Sequence, residues 1–452
     1  MSTDLKNRIL HVDGDSFFAS CEIALDEKLQ GRAVWVGGGR RGDGIVIAAN
    51  REAKKFGVKT CMPCFEAKRL CPRGVLCKPH YDAYRDISQK MFRVLEEYSP
   101  MLVPISIDEG FLDFSTMDSV VWRNTTPEKY VREISERIAR EVKIPVSAGL
   151  GNSSRLAKLA TDAAKPGFLE VKLGEEKEFL KDRSVRELSG IGKNRQRSLA
   201  ALGALTFGHV ANLPSPLLKQ KFGIWGTQLW LFANGLWNEP LLLAVKDRTT
   251  ISSNTTLPYD EPDYNAALTF ALSETTRLTG QLRREQLQVR EMSLTIRFED
   301  FSEVGGTHRF SAPQFLNSII NAHLEEIFHD IMAGQGKAVR QIRIAFWNLA
   351  PLDTQPTLWG RTDAERWGAL DDAAHKMNSK FSRPEKPALM TGAQLALRQL
   401  DDAHKNPKSK CPFVPQREMV KKLWGTDADP LAHKGDWENR LAKVSKQLQF
   451  NH

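Results

Sequence analysis

A four-residue apolar strand, residues 9–12 (ILHV), runs without a break into Asp13, Gly14 and Asp15 and then into a helix start at residues 16–22 (SFFASCE). Strand, acids, helix in that order is a junction built to carry a site, because it sets carboxylates at the end of a sheet strand and at the head of a helix. A second acid pair, Asp108 and Glu109, lies within residues 103–115 (VPISIDEGFLDFS). There Val103, Ile105 and Ile107 alternate as a half-buried strand, and residues 111–114 (FLDF) read as its return partner. The pair therefore falls near a hairpin turn. Neighbouring side chains on a flat strand point to opposite faces, so two adjacent carboxylates share one ligand only where the chain bends, and Gly110 is the expected bend.

Two amphipathic helices flank this hairpin, one carrying Ile87, Met91, Val94 and Leu95, the other Val131, Ile134, Ile138 and Val142. A further strand, residues 146–151 (VSAGLG), feeds a helix with Leu156, Leu159, Ala160 and Ala163 expected inward, ending at Lys165 and Pro166. The order is β-α-β-β-α-β, the split βαβ pattern, so the fold class expected is α/β in the α+β sense. A small domain is inserted after the first strand: a Gly/Arg-rich turn (37–44, GGGRRGDG), a small-residue strand (45–50, IVIAAN) and a basic helix (51–58, REAKKFGV).

A central sheet of this kind can collect Asp13, Asp108 and Glu109 into one cluster, which repels itself unless divalent cations neutralise it. Oxygen-only donors favour Mg²⁺ or Mn²⁺, and two such ions about 3.5–4 Å apart are what in-line phosphoryl transfer uses, so nucleotidyl transfer is the natural reaction. Asp15 reads as a cap of the following helix rather than a ligand.

The 452 residues allow about three domains, and 64 Lys+Arg against 55 Asp+Glu suit a polyanionic partner. No run of about 18 apolar residues exists, and the N-terminal residues reach acids early, so neither a membrane span nor a secretory signal is expected and the expected location is cytoplasmic. Cys61, Cys64, Cys71 and Cys77 with His80 raise the question of zinc. Only residues 61–64 have the CxxC form, however, and buried reduced thiols are the preferred reading.

Further along, residues 188–195 (LSGIGKNR) followed by 198–203 (SLAALG) read as a helix–hairpin–helix whose glycines aim backbone N–H groups at a phosphate. Beyond a linker, Met292, Leu294, Ile296 and Phe298 alternate with Ser293, Thr295 and Arg297, while Ile342, Ile344 and Phe346 alternate with Gln341, Arg343 and Ala345. A helix with Phe315, Ile319, Ile320, Leu324, Ile327 and Ile331 covers the apolar face of that sheet, leaving a polar, cationic face for a phosphate backbone. From residue 351 the pattern weakens to one helix (Trp367, Leu370, Met377, Phe381) and a Pro/Lys-rich stretch, which reads as a partly disordered tail.

Residues 11–22 (HVDGDSFFASCE) and 106–113 (SIDEGFLD) resemble the two acidic motifs of the Y-family DNA polymerases, the translesion enzymes of DNA repair and the SOS response. The likeness continues through 52–63 (EAKKFGVKTCMP), 157–166 (AKLATDAAKP), the GIG hairpin and 233–240 (ANGLWNEP), covering roughly residues 8 to 350. It implies a right-hand polymerase with a ferredoxin-like palm (1–16 and 84–172), small fingers (17–83), a helix–hairpin–helix thumb (173–243), a linker (244–249), a separate α/β little finger (250–350) and the tail (351–452). Its implied partners are primer-template DNA and a dNTP, with no membrane.

The resemblance makes Asp13, Asp108 and Glu109 catalytic and gives two Mg²⁺ per active site, or Mn²⁺, held by these acids and the Gly14 carbonyl. It gives nucleotide contacts to Phe17, Phe18, Arg51, Lys54 and Lys165, with Phe18 as the gate against a ribose. DNA contacts fall on Gly190, Gly192 and Lys193 of the hairpin and on Arg297 and Arg343. Gln355, Leu358 and Trp359 stand where related bacterial enzymes carry a sliding-clamp peptide, with Gln447 to Phe450 a second candidate, and an accessory subunit is a further possible partner.

Lys54 stands where the family has arginine, and Gly14 and Gly110 replace bulkier residues, which is expected to loosen the site. Residues 50–54 with 17–22 (FFASCE) lean toward the catalytic subunit of polymerase V, whereas 11–13 and 106–109 are shared with polymerase IV, and the branch stays open. Two competing readings are a non-catalytic adaptor with a polymerase fold, disfavoured by retention of all three acids, and a helix–hairpin–helix glycosylase or nuclease, whose acid belongs beside the hairpin.

Overall fold

The computed structural model describes residues 8–38, 44–99, 101–115, 125–237, 241 and 248–352. The chain divides into two compact units, residues 1–245 and 246–452. The clamp-peptide candidates, the expected tail helix, the tip of the Gly/Arg-rich turn and most of the linker lie outside the described residues.

The first unit is organised by strand β1 (Ile9–Gly14), whose Ile9, Leu10 and Val12 are fully buried. It is the centre of a five-stranded sheet in the order β5-β6-β1-β7-β8, with β5 at Leu102–Pro104, β6 at Glu109–Asp113, β7 at Val146–Gly151 and β8 at Phe168–Glu170. Both neighbours of β1 run antiparallel to it. This is the split βαβ arrangement, extended by β8 parallel to β7. Helix α4 (Tyr81–Glu96) and helix α5 (Pro127–Glu141) cover the sheet with the residues expected: Ile87, Met91, Val94 and Leu95 on one, Val131, Ile134 and Ile138 on the other.

Between β1 and α4 the chain forms α1 (Phe17–Leu25) and a three-stranded sheet of β2 (Val34–Gly37), β3 (Val46–Ala49) and β4 (Val75–Cys77), with α2 (Arg51–Lys55) and α3 (Cys64–Leu70). Its core is Trp35 with Val46, Ala53, Val58, Cys64, Ala67 and Cys71. Cys64 and Cys71 are therefore packing thiols, and Cys61 is exposed. The sheet's helix α6 (Ser154–Ala164) lies against β7, where Gly149 permits an approach that a side chain would forbid. Leu156 and Leu159 of α6 also join the core of the following helices, α7 (Glu176–Leu180), α8 (Lys193–Ala200), α9 (Phe207–Asn212), α10 (Ser215–Phe222) and α11 (Ile224–Ala233).

Four expectations need correction here. The strand at 103–107 stops at Pro104, and Ile105 is exposed in the turn, where Ser106 rather than a glycine shapes the chain by accepting from the Asp108 and Glu109 N–H groups. Gly110 is a strand residue paired with Val12; a Cβ there would lie 3.0 Å from Phe92 and 3.2 Å from the Val103 carbonyl, so its smallness serves packing. On α6, Ala163 is exposed, and the inward positions are Leu156, Ala157, Leu159, Ala160 and Thr161. Asp15 does not cap α1: Ser147 on β7 donates to both of its carboxylate oxygens, at 2.8 and 2.9 Å.

The second unit is a four-stranded antiparallel sheet in the order β11-β10-β12-β9, with β9 at Thr250–Glu261, β10 at Leu287–Phe298, β11 at Glu303–Gln314 and β12 at Val339–Trp347. The short strand β13 (Ala350–Pro351) pairs with the start of β10. Met292, Leu294, Ile296 and Phe298 face Ile342, Ile344 and Phe346 under two helices, α12 (Tyr264–Arg284) and α13 (Asn317–Met332).

Candidate active site

The acids meet because of strand register. Asp13 on β1 stands directly opposite Glu109 on β6. The next backbone step joins the same two segments, as the Gly14 N–H donates to the Asp108 carbonyl at 2.9 Å. Opposed residues of an antiparallel pair share a face, so Asp13 and Glu109 project together, with Asp108 beside them at the turn.

Each of these two carboxylates is held by an ammonium group from α6 or its end. Lys165 lies 2.9 Å from Asp13 Oδ2 and 3.4 Å from Asp162, and Lys158 contacts Glu109 Oε2. Burial pushes the Asp13 carboxyl up to about 6, with Lys165 opposing and the charges of Asp108 and Glu109 adding to the rise. At Glu109 burial acts in the same sense, but Lys158 outweighs it and holds the carboxyl below the usual range.

His11, two residues before Asp13 and on the same strand face, is fully buried. Its Nδ1 is 2.9 Å from Thr161 Oγ1 on α6, its ring packs on Phe111 at 4.7 Å, and its Nε2 reaches within 3.3 Å of the same Glu109 oxygen. Burial, reinforced by Lys158, lowers its pKa to about 4, so this imidazole is neutral.

Among the described residues no three carboxylate, imidazole or thiol groups converge on one point as they stand, since Asp13 and Glu109 are turned toward lysines. The donor chemistry nevertheless fits a hard divalent cation. The available ligands are carboxylate and carbonyl oxygens on one side of adjacent strands, and their crowded negative charge is already offset by two cationic groups.

The substitutions expected to loosen the site leave little open space. A Cβ on Gly14 would fall 2.9 Å from the Phe17 ring, which fills the position itself. Phe17 and Phe18 open α1, whose first-turn N–H groups have no intrahelical acceptor. The Phe18 ring is half-buried and stacks on Tyr84 at 4.8 Å, and Tyr84 in turn donates its hydroxyl to buried Glu22. Lys54 on α2 donates to Ser16 Oγ, at the head of α1, at 2.9 Å, whereas Arg51 is exposed at the head of α2.

In the hairpin before α8, Gly190 takes φ +92°, and Arg195 and Gln196 donate back to the carbonyls of Gly190 and Ile191. The element preceding it is a single 3₁₀ turn, Val185–Glu187, instead of a full helix. Gly192 caps α8, and Lys193 lines a cleft of about 620 Å³ with Arg186 and Arg197. On the open sheet face of the second unit, Arg297 lies 3.4 Å from Glu303, and Arg309 lies 3.5 Å from Glu291. Arg343 sits on the same face between Thr295 and Asn254. The face is therefore polar, with much of its positive charge offset by cross-strand acids.

His11, Lys158 and Thr161 were not singled out in the sequence. Two of them carried a signal: His11 shares a strand face with Asp13, and Lys158 precedes Lys165 by two helical turns.

The chain matches the impB/mucB/samB family over residues 12–162 and that family's C-terminal domain over residues 248–357. It is 33% identical over 341 residues to DNA polymerase IV of Dehalococcoides mccartyi strain CBDB1, covering 75% of this chain and 86% of that one. Among solved structures, a Y-family DNA polymerase chimera of Dbh and Dpo4 aligns with a TM-score of 0.65 at 23% identity, over 76% of this chain and 99% of the other. An insertion ternary complex of Dbh DNA polymerase aligns with a TM-score of 0.53 at 24% identity, over 76% and 99%. Among the described residues no helix is long and apolar enough to cross a membrane. Sequence kinship in both units and a shared fold carry the assignment past the adaptor and glycosylase readings: the chain is a DNA-directed DNA polymerase and belongs to the Y family, the translesion polymerases.

Proposed function

We propose that the chain adds dNTPs to a primer 3′ end opposite damaged template positions, with Asp13, Asp108 and Glu109 as the catalytic acids. The observation that carries this is the rung that sets Asp13 opposite Glu109 with Asp108 adjoining. Two divalent ions, Mg²⁺ or Mn²⁺, held by these acids and the Gly14 carbonyl, would supply charge for the attacking and leaving oxygens. The backbone N–H groups of Phe17 and Phe18, with Lys54, Lys165 and Arg51, hold the triphosphate, and the Phe18 ring lies under the sugar. Residues 1–16 and 84–172 serve as palm, 17–83 as fingers, 173–243 as thumb and 250–350 as little finger.

Gly190, Gly192 and Lys193 take duplex phosphates, as do Arg297 and Arg343 on their own sheet face. The ternary complex of a structural neighbour supports primer-template and nucleotide as partners. A sliding clamp at residues 355–359, an accessory subunit, a place in the SOS response and a cytoplasmic location complete the reading.

The test is primer extension on undamaged and abasic templates. Asp108→Ala and Glu109→Ala should each lower incorporation by orders of magnitude while duplex affinity stays near wild type, and extension at the wild-type rate by either would refute the assignment.

A further inference from the structure

Glu109 Oε2 is the most contested atom of the site. Lys158 contacts it from α6, His11 Nε2 stands 3.3 Å away, and His11 itself is pinned by Thr161 at 2.9 Å and walled in by Phe111. The carboxylate thus sits between a fully buried imidazole and the Lys158 ammonium, which ends a long, partly exposed side chain. Lys165 differs, because it divides its charge between Asp13 and Asp162.

An oxygen engaged by an ammonium has one of its two lone pairs occupied, and the ammonium's charge repels any cation that approaches the other. A doubly charged ion within about 4 Å of that ammonium is disfavoured by one to two powers of ten even at the dielectric of water. From this geometry we infer that Lys158 is a positioning residue that competes with divalent cations for Glu109, so that cation binding at the acids requires the ammonium to withdraw. The inference rests on the reading of the three acids as cation ligands. It assigns Lys158 a function toward the cation, separate from any contact with nucleotide or DNA.

The test is binding of Mn²⁺ alone, followed by electron paramagnetic resonance on the full chain without DNA or nucleotide. Lys158→Met should tighten Mn²⁺ binding about tenfold, whereas Lys158→Arg, which keeps the charge, should stay within about twofold of wild type. Lys158→Gln is a second neutral variant should the Met variant not fold, and circular dichroism checks each. Neutral variants that bind Mn²⁺ no more tightly than wild type would overturn the inference while leaving the acid assignment standing. If wild type and an Asp13→Asn, Glu109→Gln double variant bind Mn²⁺ alike, the cation-ligand reading fails and the role of Lys158 fails with it.

Discussion

Gly149→Ala is the most searching single perturbation of this fold. A Cβ on Gly149 would stand 2.3 Å from the Thr161 nitrogen, 2.4 Å from the Ala157 oxygen and 2.8 Å from the Ala160 carbonyl carbon. All three atoms are backbone of α6, so no flexible side chain can yield, and restoring contact near 3.5 Å moves the helix by about 1 Å. Overpacking of this kind costs about 1–3 kcal/mol, and a backbone clash belongs at the upper end. Because α6 carries Lys158 and Thr161 and leads into Lys165, the same shift displaces the groups that seat Glu109 and Asp13, and a 1 Å misplacement can lower a rate about 10²-fold. Urea melts should show the stability loss, hydrogen–deuterium exchange should quicken over residues 146–164, and kcat for primer extension should fall. Gly280→Ala on α12 is the contrast: its nearest neighbour would be Arg284 Nη1 at 3.8 Å, so the change should stabilise the chain by about 0.5–1 kcal/mol. A Gly149→Ala chain within about 0.5 kcal/mol of wild type, with exchange and rate unchanged, would refute the close approach of β7 and α6.

Phe18→Ala should relax discrimination against ribonucleotides, read as the dNTP/rNTP ratio of kcat/KM; an unchanged ratio would leave the ring a packing element over Tyr84. Tyr84→Phe removes the hydroxyl donor to buried Glu22 and should cost about 1–3 kcal/mol in thermal or urea unfolding, less only if His80, at 2.9 Å from the same carboxylate, compensates. Duplex affinity should fall steeply with salt, with a log–log slope near −0.9 per phosphate contact, and Lys193→Ala should reduce that slope by about one; an unaltered slope would remove Lys193 from the contact set. Leu358→Ala with Trp359→Ala should abolish clamp-stimulated synthesis and spare clamp-free extension, and retained stimulation that is lost on deleting the last six residues would move the contact to residues 447–450.

Much of the architecture could be read wherever burial imposed a period. Met292, Leu294, Ile296 and Phe298 alternate because one face of β10 is sealed under helices, and Ile87, Met91 and Val94 recur because one stripe of α4 faces a sheet. The signal failed where burial used small or polar residues. The longest helix among the described residues, α12, buries Leu268, Leu272, Leu278 and Leu282, but Ala266, Ala267, Ala271, Thr275 and Thr279 fill the rest of its stripe, and their small size or hydroxyls blur it. Strand β11 lies at the sheet edge with Phe310 as its buried residue, so no alternation marks it. At the site, the acidic motifs stood out as strings of residues. Of the ammonium partners, Lys165 stood out as a phosphate contact, but Lys158 did not, because its contact with Glu109 between α6 and β6 is made by tertiary packing alone. The partial neutralisation of the cationic face was hidden for the same reason, since the Arg309–Glu291 and Arg297–Glu303 pairs join residues on different strands and are set by register.

The position of β1 at the middle of its sheet also governs when the enzyme can first exist. Ile9 pairs with Asp113 on one side and Gly151 on the other, so β1 waits for partners roughly a hundred or more residues downstream. At about 5–20 residues per second that is roughly 5–20 s of translation during which a buried-type strand has no ladder on either edge. The acid-bearing junction is therefore not assembled until β6 and β7 have both been made, and ribosome-bound chains released before residue 151 should contain folded helical segments but no polymerase.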